Sequence, residues 1–156
     1  MERDKNLQPL SHQHHDALMC CLLLKKGVEK NADPDLLKDF LYTQWENDIS
    51  AHLGLEEKFI FPLLPGSPFQ QQLIRMIKTD HELLRIMIGR MQPAKQEQKF
   101  YRQFALLLEL HIRFEERTWF GFLQENLSPN ELSRVGISLS EKSSRSCKDY
   151  PIKFWE

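Results

Sequence analysis

The sequence has few of the features that mark disulfide-bonded, membrane-spanning or nucleic-acid-binding proteins. Only three of its 156 residues are cysteines, and an odd number that includes the adjacent Cys20 and Cys21 does not make a disulfide framework. No apolar run approaches the roughly 20 residues of a membrane span, and the polar N-terminus has no signal-peptide core. The formal net charge of −1 gives no electrostatic reason to expect nucleic acid. We therefore expect a cytoplasmic protein with neither a membrane nor a nucleic acid as partner.

A helical repeat of apolar residues runs through most of the chain. Apolar residues recur every three or four positions in four segments, at about 9–29, 34–64, 68–91 and 94–127. Asp33 before Pro34 predicts one helix start, and Ser67 with Gln70 predicts another through a capping box. Four amphipathic helices with short connections are typical of an antiparallel up-down four-helix bundle, which we predict over residues 1–127.

Residues 128–156 have a different character. A second capping box, from Ser128 to Glu131, predicts a short fifth helix. From about Ser140 the chain becomes polar, and it then finishes with the aromatic stretch YPIKFWE. Three arrangements fit this tail: it docks on the bundle, it covers a partner chain as in a homodimer, or it stays loose.

The second and fourth segments contain the same pattern, H-x-x-x-E-E-[K/R]-x-x-F-x-x-L, at 52–64 and 111–123. Its histidine and first glutamate lie four residues apart and therefore share one helix face. That face is the apolar stripe of each helix, which in the second segment continues at Phe59 or Ile60. A buried carboxylate needs a partner, and no lysine or arginine lies in the same stripes. The pattern therefore predicts a metal site, whereas the second glutamates, Glu57 and Glu116, are interpreted as solvated or interhelical charges.

The first and third segments each add one histidine to their apolar faces. His81 takes one position of the third stripe. In SHQHHD, His14 lies about 50° from the centre of the apolar face and His15 about 150° away, so His14 is the candidate. His15 stays an alternative if the helix start is distorted. Four imidazoles and two carboxylates favour iron or manganese, with zinc also open, and two carboxylates that can bridge suggest a dinuclear site. The candidate ligands are His14, His52, Glu56, His81, His111 and Glu115.

These motifs resemble those of the hemerythrin-like, or HHE cation-binding, domain family over about residues 9–125. The resemblance is carried by HQHHDAL, HLGLEEKFIFPLL, DHELL and HIRFEERTWFGFL. It implies a four-helix bundle with two non-haem iron ions, bridged by carboxylates and by an oxo or hydroxo group. The six candidates are then the ligands, and Glu56 and Glu115 are the bridges. The implied role is binding of dioxygen, peroxide or nitric oxide for sensing, storage or stress defence.

The sequence departs from the oxygen-carrying members at Arg85. Those members have a histidine four residues after the third-helix histidine, and arginine stays protonated and cannot ligate a metal. One iron would therefore have an extra open or water-filled position, and a hydrogen bond from Arg85 to an iron-bound anion is one hypothesis. The remaining ligand set is similar to that of iron–sulfur-centre repair proteins, which also carry an N-terminal cysteine-bearing segment not found in this sequence. A di-iron oxidoreductase, an iron donor of the repair type and an interaction module with a structural metal remain alternatives, so whether the protein is an enzyme stays open.

Overall fold

The computed structural model describes residues 2–64, 66–91, 96–139 and 147–156. Within these ranges the regular structure is helical throughout and contains no strand, which confirms the all-α prediction. None of the described helices is long and apolar enough to cross a membrane. The α-helices are α1 (Gln8–Glu29), α2 (Pro34–Gln44), α3 (Ser50–Leu55), α4 (Pro68–Met91), α5 (Gln98–Phe114), α6 (Phe120–Asn126) and α7 (Pro129–Leu139).

Three wider, π-helical turns interrupt the second and fourth long segments. The turn Trp45–Ile49 joins α2 to α3, Glu56–Ile60 follows α3, and Glu115–Trp119 joins α5 to α6. A π-helical turn contains more residues than an α-helical one, so it changes which side chains face inward, and such turns often occur at functional sites. After Glu56, Ile60 is fully buried and Phe59 is partly buried.

The predicted helix starts are capped as the sequence indicates. Asp33 accepts a hydrogen bond from a backbone N–H in the first turn of α2. Ser67 and Gln70 make the reciprocal pair of a capping box at the start of α4, and Ser128 with Glu131 does the same for α7. The predicted start of the fourth segment near Ala94 lies outside the described residues, and α5 begins at Gln98.

Two apolar clusters form the core, and each of the four long segments runs from one cluster to the other. The first apolar cluster contains buried residues from the C-terminal half of α1, from α2 to α3, from the end of α4, from α5 and from the C-terminal residues 147–156. The second apolar cluster contains the start of α1, the end of the second segment, the start of α4, and α6 and α7. In each segment one residue of the following pairs lies in one cluster and the second residue in the other: Leu10 and Leu24, Leu41 and Ile60, Ile77 and Leu84, and Phe104 and Trp119. In each segment, the candidate ligands lie between the paired residue of one cluster and that of the other.

The C-terminal residues 147–156 lie against α1 and α2. Phe40 makes edge-on ring contacts with Tyr150 and Phe154, at centroid distances of 5.2 and 5.0 Å, and the Tyr150 hydroxyl donates to Asp39. A Cβ atom on Gly27 would lie 2.7 Å from the Phe154 ring, so glycine permits this close approach. The structure therefore shows a docked tail, whereas a homodimer formed through it stays a prediction. The polar stretch that begins at Ser140 lies outside the described residues up to position 146.

Candidate metal centre

All six candidate ligands are buried at the point where the two apolar clusters meet. The most exposed of them, His52, has an exposed fraction of 8 %, and the carboxyl groups of Glu56 and Glu115 are fully enclosed. His15 is exposed, as is His12, so the first helix turns only His14 inward. The structure therefore brings together the residues that helical phase selected in the sequence.

The six side chains form two overlapping groups. In each group the candidate ligand atoms lie within 4.8 Å of one another. We call the first group position 1 and the second group position 2. Both glutamates belong to both groups, so they lie between the two pairs of histidines. Position 1 consists of His14, His52, Glu56 and Glu115, and position 2 consists of Glu56, His81, His111 and Glu115.

The two carboxylates reach towards both histidine pairs. Glu115 places Oε2 2.9 Å from His14 Nε2 and Oε1 2.8 Å from His111 Nε2. Glu56 Oε1 lies 3.0 Å from His52 Nε2 and 3.9 Å from His81 Nε2. This is the arrangement expected of carboxylates that bridge two metal ions. The wider turns contribute to it, because both Glu56 and Glu115 are the first residue of a π-helical turn.

Each histidine has an oxygen partner at its outer nitrogen, Nδ1. Carboxylate and amide oxygens accept hydrogen bonds, so Nδ1 carries the proton and donates it. In a neutral ring the inner nitrogen, Nε2, then keeps a free lone pair that faces the centre, as metal-ligating histidines require. The four pairs are His14 with Glu116 (2.8 Å), His52 with Gln13 (2.7 Å), His81 with Glu57 (3.0 Å) and His111 with Asp80 (3.1 Å).

The donor set is left unsatisfied by the protein itself. The inner nitrogens of His14 and His52 lie 3.0 Å apart, so in neutral rings two lone pairs face each other. While the rings are neutral and carry their proton on Nδ1, both oxygens of Glu56 and of Glu115 are buried without a hydrogen-bond donor, and Nε2 of His81 is also without a partner. Buried polar atoms without partners are costly and rare. A cation at each position would satisfy all of these atoms, and a set of imidazole nitrogens and carboxylate oxygens suits iron or manganese.

Without a metal ion, protonated histidines balance the negative charge of the buried centre. Burial lowers the pKa of His52, but hydrogen bonds and charge from Glu115 and Glu56 outweigh it and raise the pKa to about 9. Burial also lowers the pKa of His111, but Glu115 and Asp80 outweigh this effect and raise the pKa to about 10. Burial raises the pKa of Glu115, yet His111, with other histidines, holds it well below its usual value. Metal ions and protons therefore compete for the same atoms.

Sequence reasoning missed the role of the second glutamate in each repeated pattern. Glu57 and Glu116 are interhelical charges, one of the two interpretations from the sequence, and each also accepts a hydrogen bond from a histidine of another helix, which was not predicted. Each also pairs with an arginine: Arg85 lies 2.6 Å from Glu57, and Arg3 lies 2.9 Å from Glu116. The repetition of E-E in both patterns is the signal that could have identified them.

The structure gives Arg85 a different position from the one hypothesised. Its guanidinium group contacts Glu57 and Glu82 rather than facing the space between the candidate ligands. Burial raises the pKa of Glu57, but hydrogen bonds and charge from Arg85 and His81 together outweigh it, so the pKa lies below its usual value. Arg85 therefore acts on the centre through Glu57, which in turn holds His81.

A cavity of about 320 Å³ adjoins the centre. His14, His52 and His111 form part of its wall, whereas His81 does not. The cavity wall also includes polar side chains, among them Gln44 and Asn47. A small molecule in this cavity would therefore meet both histidines of position 1 and His111 of position 2.

Comparison with known proteins agrees with this geometry. The family model of the hemerythrin HHE cation binding domain matches residues 6–123, and the chain belongs to this family. The chain is also 24% identical, over 147 residues, to a protein named DNA nickase from Nostoc sp. strain PCC 7120. That match covers 92% of this chain but 41% of the relative, so the chain spans less than half the length of the relative. No solved structure matches the chain.

Proposed function

We propose that this protein is a hemerythrin-like non-haem di-iron protein that binds dioxygen, peroxide or nitric oxide for sensing, storage or stress defence. The observation that carries the proposal is the pair of overlapping ligand groups that share Glu56 and Glu115. Membership of the HHE cation-binding family supports the same role. Manganese or zinc would fit the same donor types, and the donor set favours iron or manganese over ions that prefer thiolates.

The residues divide into two functions in this proposal. Glu56 and Glu115 would bridge the two ions, and the histidine pairs would complete position 1 and position 2. When bound, iron would supply the reversible exchange of electrons with the small molecule. The chain itself contributes the fixed direction of each imidazole, through the outer oxygen partners, and the removal of bulk water from the bridging carboxylates.

We also infer that the four long segments form an antiparallel up-down bundle. The chain passes from the second apolar cluster to the first in α1, returns in the segment of α2 and α3, and repeats this alternation in α4 and in α5–α6. An alternation of this kind is expected when successive helices run in opposite directions around one core. The bundle brings one face of each helix to the metal centre.

The binding of small molecules can be tested by absorption spectroscopy. Iron-loaded protein is reduced, and its spectrum is recorded before and after separate additions of dioxygen, peroxide and nitric oxide. We expect at least one of these to produce a visible charge-transfer band. Zinc-loaded protein is the matched control, because a filled d shell gives no such band. Spectra of the iron-loaded protein that stay unchanged with all three molecules would count against the proposal.

An enzymatic role is the alternative that the cavity favours. A cavity of about 320 Å³ beside position 1 leaves room for more than a diatomic molecule. A di-iron oxidoreductase would consume peroxide or nitric oxide in many turnovers per chain, whereas a sensor or store would bind about one equivalent per centre. A repair-type iron donor would instead lose iron to an acceptor protein. Measuring turnover and iron transfer separates these roles.

The third alternative is an interaction module whose metal is structural. The homodimer predicted through the C-terminal tail would belong to this role, although residues 147–156 dock on their own chain in the structure. Sedimentation of the protein before and after metal removal tests it. A dimer that dissociates when the metal is removed would favour this role over ligand binding alone.

The name of the Nostoc relative raises DNA nicking as a further activity. The matched part is 41% of that protein, and the net charge of −1 gives this chain no electrostatic preference for phosphates. We therefore do not extend nicking to this chain. Incubation of the metal-loaded protein with supercoiled plasmid checks this, and accumulation of nicked circles would reverse it.

A further inference from the structure

We propose that the two metal positions are unequal: position 2 binds its ion first and more tightly, and position 1 is the exchangeable one. This inference rests on the proposed function, since it assumes that the two ligand groups hold metal ions. It comes from the outer partners of the histidines and from the position of the cavity, neither of which the ligand set itself reveals.

The four outer partners are not of one kind. At position 1, His52 donates to the neutral amide of Gln13, whereas His14 donates to Glu116. The charge of Glu116 is offset by Arg3, at 2.9 Å. Position 1 therefore has no uncompensated charge among the outer partners of its two histidines.

The outer partners of the histidines at position 2 carry one more uncompensated negative charge than those at position 1. His81 donates to Glu57, whose charge is offset by Arg85, and His111 donates to the carboxylate of Asp80. Within the described ranges, no arginine or lysine pairs with Asp80. A carboxylate acceptor makes the imidazole a stronger ligand than an amide does, and the added negative charge attracts the cation. Both effects favour position 2.

The enclosure of the two positions differs in the same direction. Both histidines of position 1 form part of the cavity wall, whereas at position 2 only His111 does, and His81 is fully buried and outside it. An ion at position 1 can therefore exchange with solvent or meet a small molecule more readily. The two independent observations assign tight binding to position 2 and access to position 1.

Two substitutions exchange the outer partners without removing an acceptor. Asp80→Asn gives His111 a neutral amide, and Gln13→Glu gives His52 a carboxylate. Because changes of outer partners typically alter metal affinity by about 10- to 100-fold, each substitution should move one binding step by that factor. Circular dichroism establishes that both variants, and the double variant, keep the helical content of the parent.

The test is a titration of the metal-free full chain with Co²⁺, in which calorimetry measures each binding step and the visible absorption bands of bound cobalt report its coordination. We expect two steps, with dissociation constants separated by about tenfold or more. Asp80→Asn should weaken the first step, Gln13→Glu should strengthen the second, and the double variant should reverse the order of filling. His81→Ala should abolish the tighter step, while His52→Ala should abolish the weaker one.

Several results would overturn the inference. One is binding of both Co²⁺ ions by the parent protein in a single cooperative step. Another is an Asp80→Asn variant in which the dissociation constant of the weaker step changes and that of the tighter step does not. Failure of the folded parent protein to bind Co²⁺ at all is a different outcome, because it would remove the metal centre itself and with it the proposed function.

Discussion

Replacement of Glu57 tests whether the outer carboxylates belong to the metal centre. His81 is fully buried, and its Nδ1 donates to Glu57 over 3.0 Å. Glu57→Ala leaves this N–H without an acceptor, which costs about 1–3 kcal/mol for a buried polar group. Loss of an outer partner typically lowers metal affinity by about 10- to 100-fold, which corresponds to about 1.4–2.8 kcal/mol. The first figure is the expected loss of folding stability, and the second is the expected loss of metal affinity.

The assay is competition for metal against a chelator of known affinity. Glu57→Gln should lose less than Glu57→Ala, because the amide oxygen can still accept from His81. Glu82→Ala is the matched control, since Glu82 also pairs with Arg85 but is exposed and does not contact a histidine. We expect the control to bind metal like the parent protein. An affinity of Glu57→Ala within about twofold of the parent, far below the usual effect of an outer partner, would refute the reasoning.

Two further predictions concern protons and packing. The metal-free pKa values of His52 and His111, about 9 and about 10, mean that both rings are protonated at pH 7, and metal binding must displace those protons. Metal affinity should therefore rise with pH until it passes these values, and calorimetry in buffers of different ionisation enthalpy should detect proton release; an affinity that is constant from pH 6 to 9 would contradict this. Gly27→Ala should lower the free energy of unfolding by about 1–3 kcal/mol and expose the C-terminal tail to proteases, because the new methyl group meets Phe154 at 2.7 Å. Gly54→Ala is its control, since no atom lies within 4 Å of the added Cβ, and it should not destabilise the protein.

The inward-facing residues could be predicted because helical phase is a local property. The repeated H-x-x-x-E spacing places each histidine and glutamate on one face, and the apolar neighbours show which face is buried. The same argument separates His14 from His15, and the structure buries the first and exposes the second. Agreement between two copies of the pattern made this part of the interpretation specific.

The outer partners could not be predicted because they connect different helices. Glu57 lies about 100° around its helix from Glu56, a direction that sequence alone interprets as the solvent side. In the folded chain that direction meets the neighbouring helix, so Glu57 reaches His81. Gln13 is likewise adjacent to His14 in sequence but contacts His52. These contacts depend on how the helices pack, which periodicity does not specify.

The π-helical turns were also beyond the sequence pattern. An extra residue in a turn is stabilised by its tertiary surroundings, whereas the spacing of apolar residues is compatible with a regular α-helix. After Glu56, both Phe59 and Ile60 fit the stripe, and the structure fully buries Ile60. The cavity beside position 1 similarly arises from the packing of side chains of several helices.

The most direct test of the metal centre is metal analysis of the protein purified from iron-supplied cells. The two ligand groups predict about two iron ions per chain, with metal lost in His52→Ala and in Glu115→Ala but retained in the exposed control His15→Ala. Fewer than one transition-metal ion per chain in the parent protein, or full occupancy in both ligand variants, would contradict the assignment of these residues.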